Sequence, residues 1–259
     1  MLGIAPLALA TPQVLFSGSR FSPSTLVVNY HPLIRPAGTW NTSDGLTISN
    51  DKFMASTTGN LKNIRVVLDT APGSGTNYVF TVRLNAADTA LACTISDAAT
   101  SCTNSTDTVS IIGGDVLTFS STPSGSPATV FVKWTLVFDG TTAQEGIFSG
   151  YGGGAGTITK YSFPDGPSLL SIEDENHQLM PLNGTLKNLY VRTHCDVINP
   201  WVFTLRVNGV STALTCTLTS FTCSNTTDSI SVVAGDLISL EVDPDAGCSA
   251  RRSHGMTFV

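Results

Sequence analysis

The chain has 259 residues, a formal net charge of −6 and only 12% charged residues. That length is enough for two domains that each bury a core. The charge-poor, acidic balance excludes a nucleic-acid binder, which needs a basic patch. No apolar run reaches the roughly 18 residues that a membrane-spanning helix requires.

Taken in order, the chain opens with an apolar stretch, residues 1–12 (MLGIAPLALATP). Ala8-Leu9-Ala10 has the form of a signal-peptidase site, yet no basic region precedes it and the stretch is short for a signal. The working reading is an arm that docks on a neighbouring capsid or surface-layer protein, because exposed apolar chain is worth ordering only against a partner. Gln13–Gly18 and Leu26–Tyr30 read as strands, and Pro32, Pro36 and Gly38 interrupt the chain before a further strand at Leu46–Ser49. Leu61–Leu68 alternates, with Ile64, Val66 and Leu68 on one face and Asn63 and Arg65 on the other, the period of a half-buried strand. Pro72-Gly73-Ser74-Gly75 reads as a turn. Strand 78–85 follows with Phe80, Val82 and Leu84 inward, then strands at Ala90–Ser96, Thr106–Ile112, Val116–Thr122 and Ala128–Phe138. Gly113-Gly114-Asp115 and Ala234-Gly235-Asp236 read as hairpin turns. No stretch carries a convincing helical period.

The order then repeats. Tyr-Val-Phe-Thr-Val-Arg-Leu-Asn at 78–85 returns as Trp-Val-Phe-Thr-Leu-Arg-Val-Asn at 201–208. Gly59-Asn60-Leu61-Lys62-Asn63 matches Gly184-Thr185-Leu186-Lys187-Asn188, and Gly114-Asp115 matches Gly235-Asp236. Leu15-Phe16-Ser17-Gly18 matches Ile147-Phe148-Ser149-Gly150, and Val137-Phe138 matches Thr257-Phe258. A period of about 120 residues is far too long for a solenoid and is the size of a whole domain. The spacing drifts only between matched blocks, as loop insertions do. The reading is therefore all-β, with two tandem domains, each a β-sandwich or jelly roll, at 13–139 and 145–259 joined near Gly140–Glu145. In the last strand, Arg252 and His254 fall where the first copy has Val132 and Trp134. Either the two faces differ in partner or the alignment slips by one residue, which would swap the faces.

Six cysteines occur, and four recur. Cys93 and Cys102 flank a turn-rich stretch, as do Cys216 and Cys223, and each pair suits a cross-strand disulfide between adjacent hairpin strands. The alternatives are buried reduced thiols or half of a metal site, although the spacing is not that of zinc ligands. Cys195 and Cys248, present only in the second copy, pair by elimination. Disulfides imply an oxidising or extracellular setting.

Reaction chemistry is not evident. His31, His177, His194 and His254 have no metal-binding spacing and no counterparts between copies, so they read as surface or loop residues. Gly152-Gly153-Gly154-Ala155-Gly156 lacks the lysine of a phosphate loop. Glu173-Asp174-Glu175 is a candidate for calcium or, more simply, a solvated loop. Lys62/Lys187 and Arg83/Arg206 recur outward, for a ligand or for cross-strand pairing. Sequons stand at Asn41, Asn104, Asn183 and Asn225, of which Asn104 and Asn225 are equivalent. No catalytic, cofactor or metal residues are assigned.

The ordered blocks Gly-x-Leu-Lys-Asn, Phe-Thr-x-Arg-x-Asn, Thr-Ala-Leu-x-Cys-Thr and Ala/Gly-Gly-Asp resemble a jelly-roll module of phage virion-surface proteins and bacterial spore-coat or surface proteins. The module is similar in design to tumour necrosis factor-like and complement-type heads. The resemblance covers roughly 59–138 and 184–258. It implies a non-enzymatic structural protein that assembles as a homotrimer on the exterior of a virion, as a capsid decoration or fibre-like component. Alternatives are a secreted bacterial adhesin or filament subunit, and a carbohydrate-binding module for surface glycans, which would need an aromatic platform, whereas Trp40, Trp134 and Trp201 are not obviously on one surface.

Overall fold

The computed structural model describes residues 12–19, 21–34, 36–38, 40–43, 52–142, 145–152, 156–166, 169–193, 199–244 and 252–259. The expected strand at Leu46–Ser49, the arm at 1–11, His194, Cys195 and Cys248 lie outside them. Among the described residues the chain is all-β apart from one turn of 3-10 helix at Glu173–Asn176. No helix there is long and apolar enough to cross a membrane.

The first sandwich is built from β1 (Gln13–Ser19), β2 (Asn29–Pro32), β3 (Pro36–Gly38), β4 (Phe53–Met54), β5 (Gly59–Leu68), β6 (Gly73–Leu84), β7 (Ala87–Asp97), β8 (Ser101–Ile111), β9 (Val116–Ser124) and β10 (Val132–Gly140). One sheet runs β3-β1-β10-β5-β8, and the other runs β2-β9-β6-β7 with β4 also on β9. The second sandwich uses β11 (Gly146–Gly152), β12 (Lys160–Ser162), β13 (Gln178–Leu179), β14 (Gly184–Thr193), β15 (Trp201–Val207), β16 (Val210–Leu218), β17 (Thr222–Val232), β18 (Leu237–Asp243) and β19 (Arg252–Phe258). Its sheets run β11-β19-β14-β17 and β12-β18-β15-β16, with β13 on β18. With β3, β4 and β13 set aside, the eight remaining strands of each copy, numbered in chain order, stack as 1-8-3-6 against 2-7-4-5. That order is a jelly roll, two Greek keys folded into facing sheets.

The repeated blocks explain the shape. In β5 the buried residues are Leu61, then Ile64, Val66 and Leu68. Leu61 and Ile64 are an odd number apart and would face opposite ways in a regular strand. Asn63, at φ 55°, forms a bulge where the pairing register shifts between Lys62 and Ile64, which brings both inward. Asn188, at φ 56°, repeats the bulge in β14. Asparagine tolerates this left-handed conformation better than most residues. Gly59 and Gly184 begin these strands because the Phe138 and Phe258 rings occupy the space a Cβ would need.

The interior of the first sandwich centres on aromatic rings. Trp134 stacks on Phe119 at 4.5 Å between centroids, and Phe80 stacks on Phe119 at 5.8 Å. Trp201, Phe203 and Leu205 anchor the second core.

Several expectations need correction. The strand expected at Leu26–Tyr30 lies at Asn29–Pro32. Pro72–Gly75 is not a free turn, since β6 begins at Gly73. Gly113-Gly114-Asp115 and Ala234-Gly235-Asp236 are not hairpin turns: each carries the chain from one sheet to the other. The tight hairpins are Asn85-Ala86 between β6 and β7 and Asn208-Gly209 between β15 and β16, all four residues at positive φ. That is the twist-matched two-residue turn.

The repeat alignment holds in the last strand and slips in the first. Trp134 pairs with Val66 and His254 with Val191, so these positions are equivalent. In contrast, Leu15 pairs with Leu136, and its structural counterpart is Phe148, which pairs with Met256. Ile147 therefore faces away from its own sandwich and joins the core cluster of the first one.

Candidate interaction surfaces

Most residues shared by the copies are committed to the fold. Asn85 donates from Nδ2 to Asp115 at 2.8 Å and accepts from the Val116 amide at 2.9 Å. Asn208 does the same with Asp236 and the Leu237 amide, at 2.8 and 2.9 Å. Each clasp ties a hairpin tip to the adjacent inter-sheet turn. The bound Asp236 carboxylate is held below the usual range, by the Val233 amide first and then by Asn208. Arg83 reaches Asp88 and the Ala86 carbonyl across its own hairpin and lies 5.2 Å over the Tyr30 ring. Arg206 repeats this with Ser211, the Gly209 carbonyl and the Tyr161 ring, and adds Glu173 and Glu241. Lys62 pairs with Asp139. Lys62, Arg83 and Arg206 are thus engaged in side-chain pairing.

Glu173, the first residue of the acidic run, is engaged in the same way, while Asp174 and Glu175 are exposed. Burial pushes the Glu173 carboxyl up, and hydrogen bonds from Arg206 and Ser239 outweigh it and hold it below the usual range. Among the described residues no cluster of His, Cys, Asp and Glu has a metal-binding arrangement.

Both recurring cysteine pairs are disulfides, Cys93–Cys102 with Cα atoms 5.8 Å apart and Cys216–Cys223 with 5.9 Å. The pairing is as expected, but the geometry is not that of a hairpin. β7 and β8 belong to opposite sheets, as do β16 and β17. Each bond staples the two sheets together at one edge of its sandwich.

The equivalent sequons are also structural. Asn104 donates from Nδ2 to the Ala92 carbonyl at 2.9 Å and to Asp107 at 2.7 Å, while Oδ1 accepts from the Asp107 amide at 3.0 Å. Asn225 repeats these contacts with Thr215, Asp228 and the Asp228 amide. The residue two beyond each asparagine donates to its Oδ1 as well, so the sequon threonine is part of the same turn.

The histidines correct another expectation. His31 and His254 are fully buried rather than on the surface. His31 packs edge-on to Trp134 at 4.9 Å. His254 bonds the Pro164 carbonyl at 3.0 Å from Nε2, and burial, with the Arg252 charge second, lowers its pKa to about 3. Arg252 is also fully buried, and among the described residues none of its three guanidinium nitrogens has a hydrogen-bond partner. Burial lowers its pKa to about 9. The tryptophans do not form the platform that a carbohydrate-binding module would need: Trp134 and Trp201 are buried, and Trp40 packs beside Trp134 and Phe119.

What the molecule does present is sheet faces. The outer face of the β14–β19–β11 sheet is covered by the first domain. The Met54 amide donates to Ser149 Oγ at 3.1 Å, Thr257 Oγ1 donates to Ser56 Oγ at 2.9 Å, and the Ile147 amide donates to Gln13 Oε1 at 2.9 Å. A Cβ on Gly255 would stand 2.5 Å from the Met54 carbonyl oxygen, and one on Gly113 would meet the Tyr190 hydroxyl at 2.5 Å. Met54 is 2% exposed. The matching outer face of the first domain is open. It bears Val14 and Phe16, 61% and 66% exposed, and Phe16 lines a groove of about 500 Å³ together with Arg65, Val67, Lys133 and Thr135.

Sequence reasoning placed Phe16 opposite Phe148, which turns inward, and so missed this face. The signal lay in the strand pairing, not in the residue types. No protein-family model and no curated protein matches the chain.

Proposed function

We propose that this chain is a non-enzymatic structural subunit that self-assembles, as a homotrimer, on the exterior of a virion. The observation that carries the reading is the use of the repeated residues. The Asn–Asp clasps, the bulge asparagines, the Asn104 and Asn225 turns and the sheet-stapling disulfides maintain architecture in both copies. Repetition has preserved a building block, with its edges closed by side-chain bonds. The disulfides fit an oxidising, extracellular setting. The arm at 1–12 is proposed to attach the subunit to a capsid or surface-layer protein.

Immunogold electron microscopy on the producing culture, with an antibody to the second domain, tests the location. Gold on virus particles supports the virion reading. Gold on cell surfaces or extracellular filaments replaces it with a bacterial surface protein of the same architecture.

A further inference from the structure

The contact between the two domains has two sides, and each side has a counterpart elsewhere on the chain. On the first domain the contact is made by the segment around Met54, whose neighbour Ala55 exchanges backbone bonds with the inter-sheet turn: the Ala55 amide donates to the Asp115 carbonyl, and the Gly114 amide donates to the Ala55 carbonyl. On the second domain Met180 makes the same exchange with Asp236 and Gly235. Leu179, which pairs with Leu237 as Met54 pairs with Val116, is thus the counterpart of Met54. Their surroundings differ sharply. Met54 is 2% exposed, whereas Leu179 and Leu182 are each 62% exposed, with Val233 at 55% and Leu237 at 37% beside them.

The other side shows the same imbalance. In the second domain the receiving face carries Ile147 and Thr257, both buried by the first domain. In the first domain the corresponding positions are Val14 and Val137, and the neighbouring Phe16 is open to solvent. Among the described residues, each chain therefore exposes an apolar projection on the second domain and an apolar sheet face on the first.

From this arrangement we infer that copies of the chain associate head to tail, the Leu179–Leu182 projection of one seating on the Val14–Phe16 sheet face of the next. The inference rests on the reading of the chain as a self-assembling subunit, and it names the surfaces. Charge supports the pairing. Arg65 and Lys133 line the receiving groove, while the exposed Asp174 and Glu175 precede the projection in the chain. Opposite charges across an interface favour encounter and fix orientation. Thr135 stands where the covered face has Gly255, so backbone cannot come as near as Met54 does to Gly255. Phe16 supplies the contact by side chain instead. That difference distinguishes the two contacts. A contact between unlike surfaces closes into a ring or continues as a chain, according to its rotation.

Sedimentation velocity of the full chain over a concentration series tests this. The wild type is expected to associate, and Phe16→Arg and Leu179→Arg are each expected to weaken association at least about tenfold, as a charge placed in an apolar contact does. The decisive step is to mix the two variants. Each retains one intact surface, so the mixture is expected to form one-to-one pairs and stop there. A wild type that stays monomeric overturns the inference. So does undiminished association of both variants, or a mixture that forms no pairs, which would mean a contact between like surfaces. Deleting residues 1–11 is expected to leave association intact, and loss on deletion with Phe16→Arg unaffected would assign it to the arm. Val14→Lys and Leu182→Arg replace either variant if circular dichroism shows it unfolded. Because purified protein is used, the result is independent of where gold labels the culture.

Discussion

At the scale of single residues, an asparagine in a sequon is an ambiguous sign. Asn104 and Asn225 match a glycosylation pattern, yet their Nδ2 groups already donate to strand carbonyls and to the aspartate three residues on. A sugar on Nδ2 would remove a donor from each turn. Protein produced in a glycosylating host is therefore expected to carry no glycan at either asparagine, which intact-mass measurement and peptide mapping would show. Asn104→Ala leaves the Ala92 carbonyl and the Asp107 amide without this partner. It should cost about 0.5–1.5 kcal/mol of stability by chemical denaturation, the net worth of a hydrogen bond at half-buried groups that water can partly re-satisfy. Asn104 was legible as a repeated residue. Its role was not, because a turn motif and a sequon share the same letters.

At the scale of elements, the strands were largely readable and their partners were not. Alternation located β5 and β6, because burial of one face imposes a period of two. It carries no information on which sheet receives the next strand. The inter-sheet turn at Gly113-Gly114-Asp115 looks like a hairpin for that reason, and the disulfides look like hairpin staples. Because they join sheets across short loops, the loop-entropy model gives each about 2–3 kcal/mol. Reduction should lower the melting temperature of both domains, and non-reducing peptide mapping should return linked 93–102 and 216–223 peptides. Four free thiols would contradict the structure.

The last strand of the second copy, β19, is where the repeat breaks its own rule, with Arg252 and His254 at the positions of Val132 and Trp134. An unpaired buried cation destabilises, so Arg252→Met should raise stability by about 1–4 kcal/mol. His254 has its folded pKa lowered to about 3, below the unfolded value near 6.5. The unfolded chain then binds a proton that the folded chain refuses. This contribution is complete above about pH 6.5 and is lost as pH falls toward 3, by roughly 1.4 kcal/mol per pH unit. His254→Gln should flatten that limb of the stability profile.

For the whole molecule, the question is whether two similar sandwiches behave as one body. Tandem domains with small, polar interfaces move independently. Here the contact is built more like a core. Ile147 leaves its own sandwich to join the hydrophobic cluster of the first, Met54 and Ser56 are buried, and the Met54 carbonyl lies so near Gly255 that the position accepts no side chain without displacement. Glu145, in the connection itself, is buried and accepts from Thr57 Oγ1 at 2.6 Å and from the Thr141 and Thr142 amides at 3.2 and 3.1 Å. The junction is therefore clamped rather than hinged. Such coupling predicts a single cooperative unfolding transition by calorimetry, although each sandwich has its own core. Gly255→Val tests it at one atom group. The added side chain meets the Met54 backbone, which β4 pairing holds in place, so the domains must separate rather than adjust. Overpacking of this kind costs about 1–3 kcal/mol. The expected signature is two resolved transitions with both disulfide-stapled domains still folded at low temperature. One unchanged transition would show that the sandwiches are joined by something other than this contact.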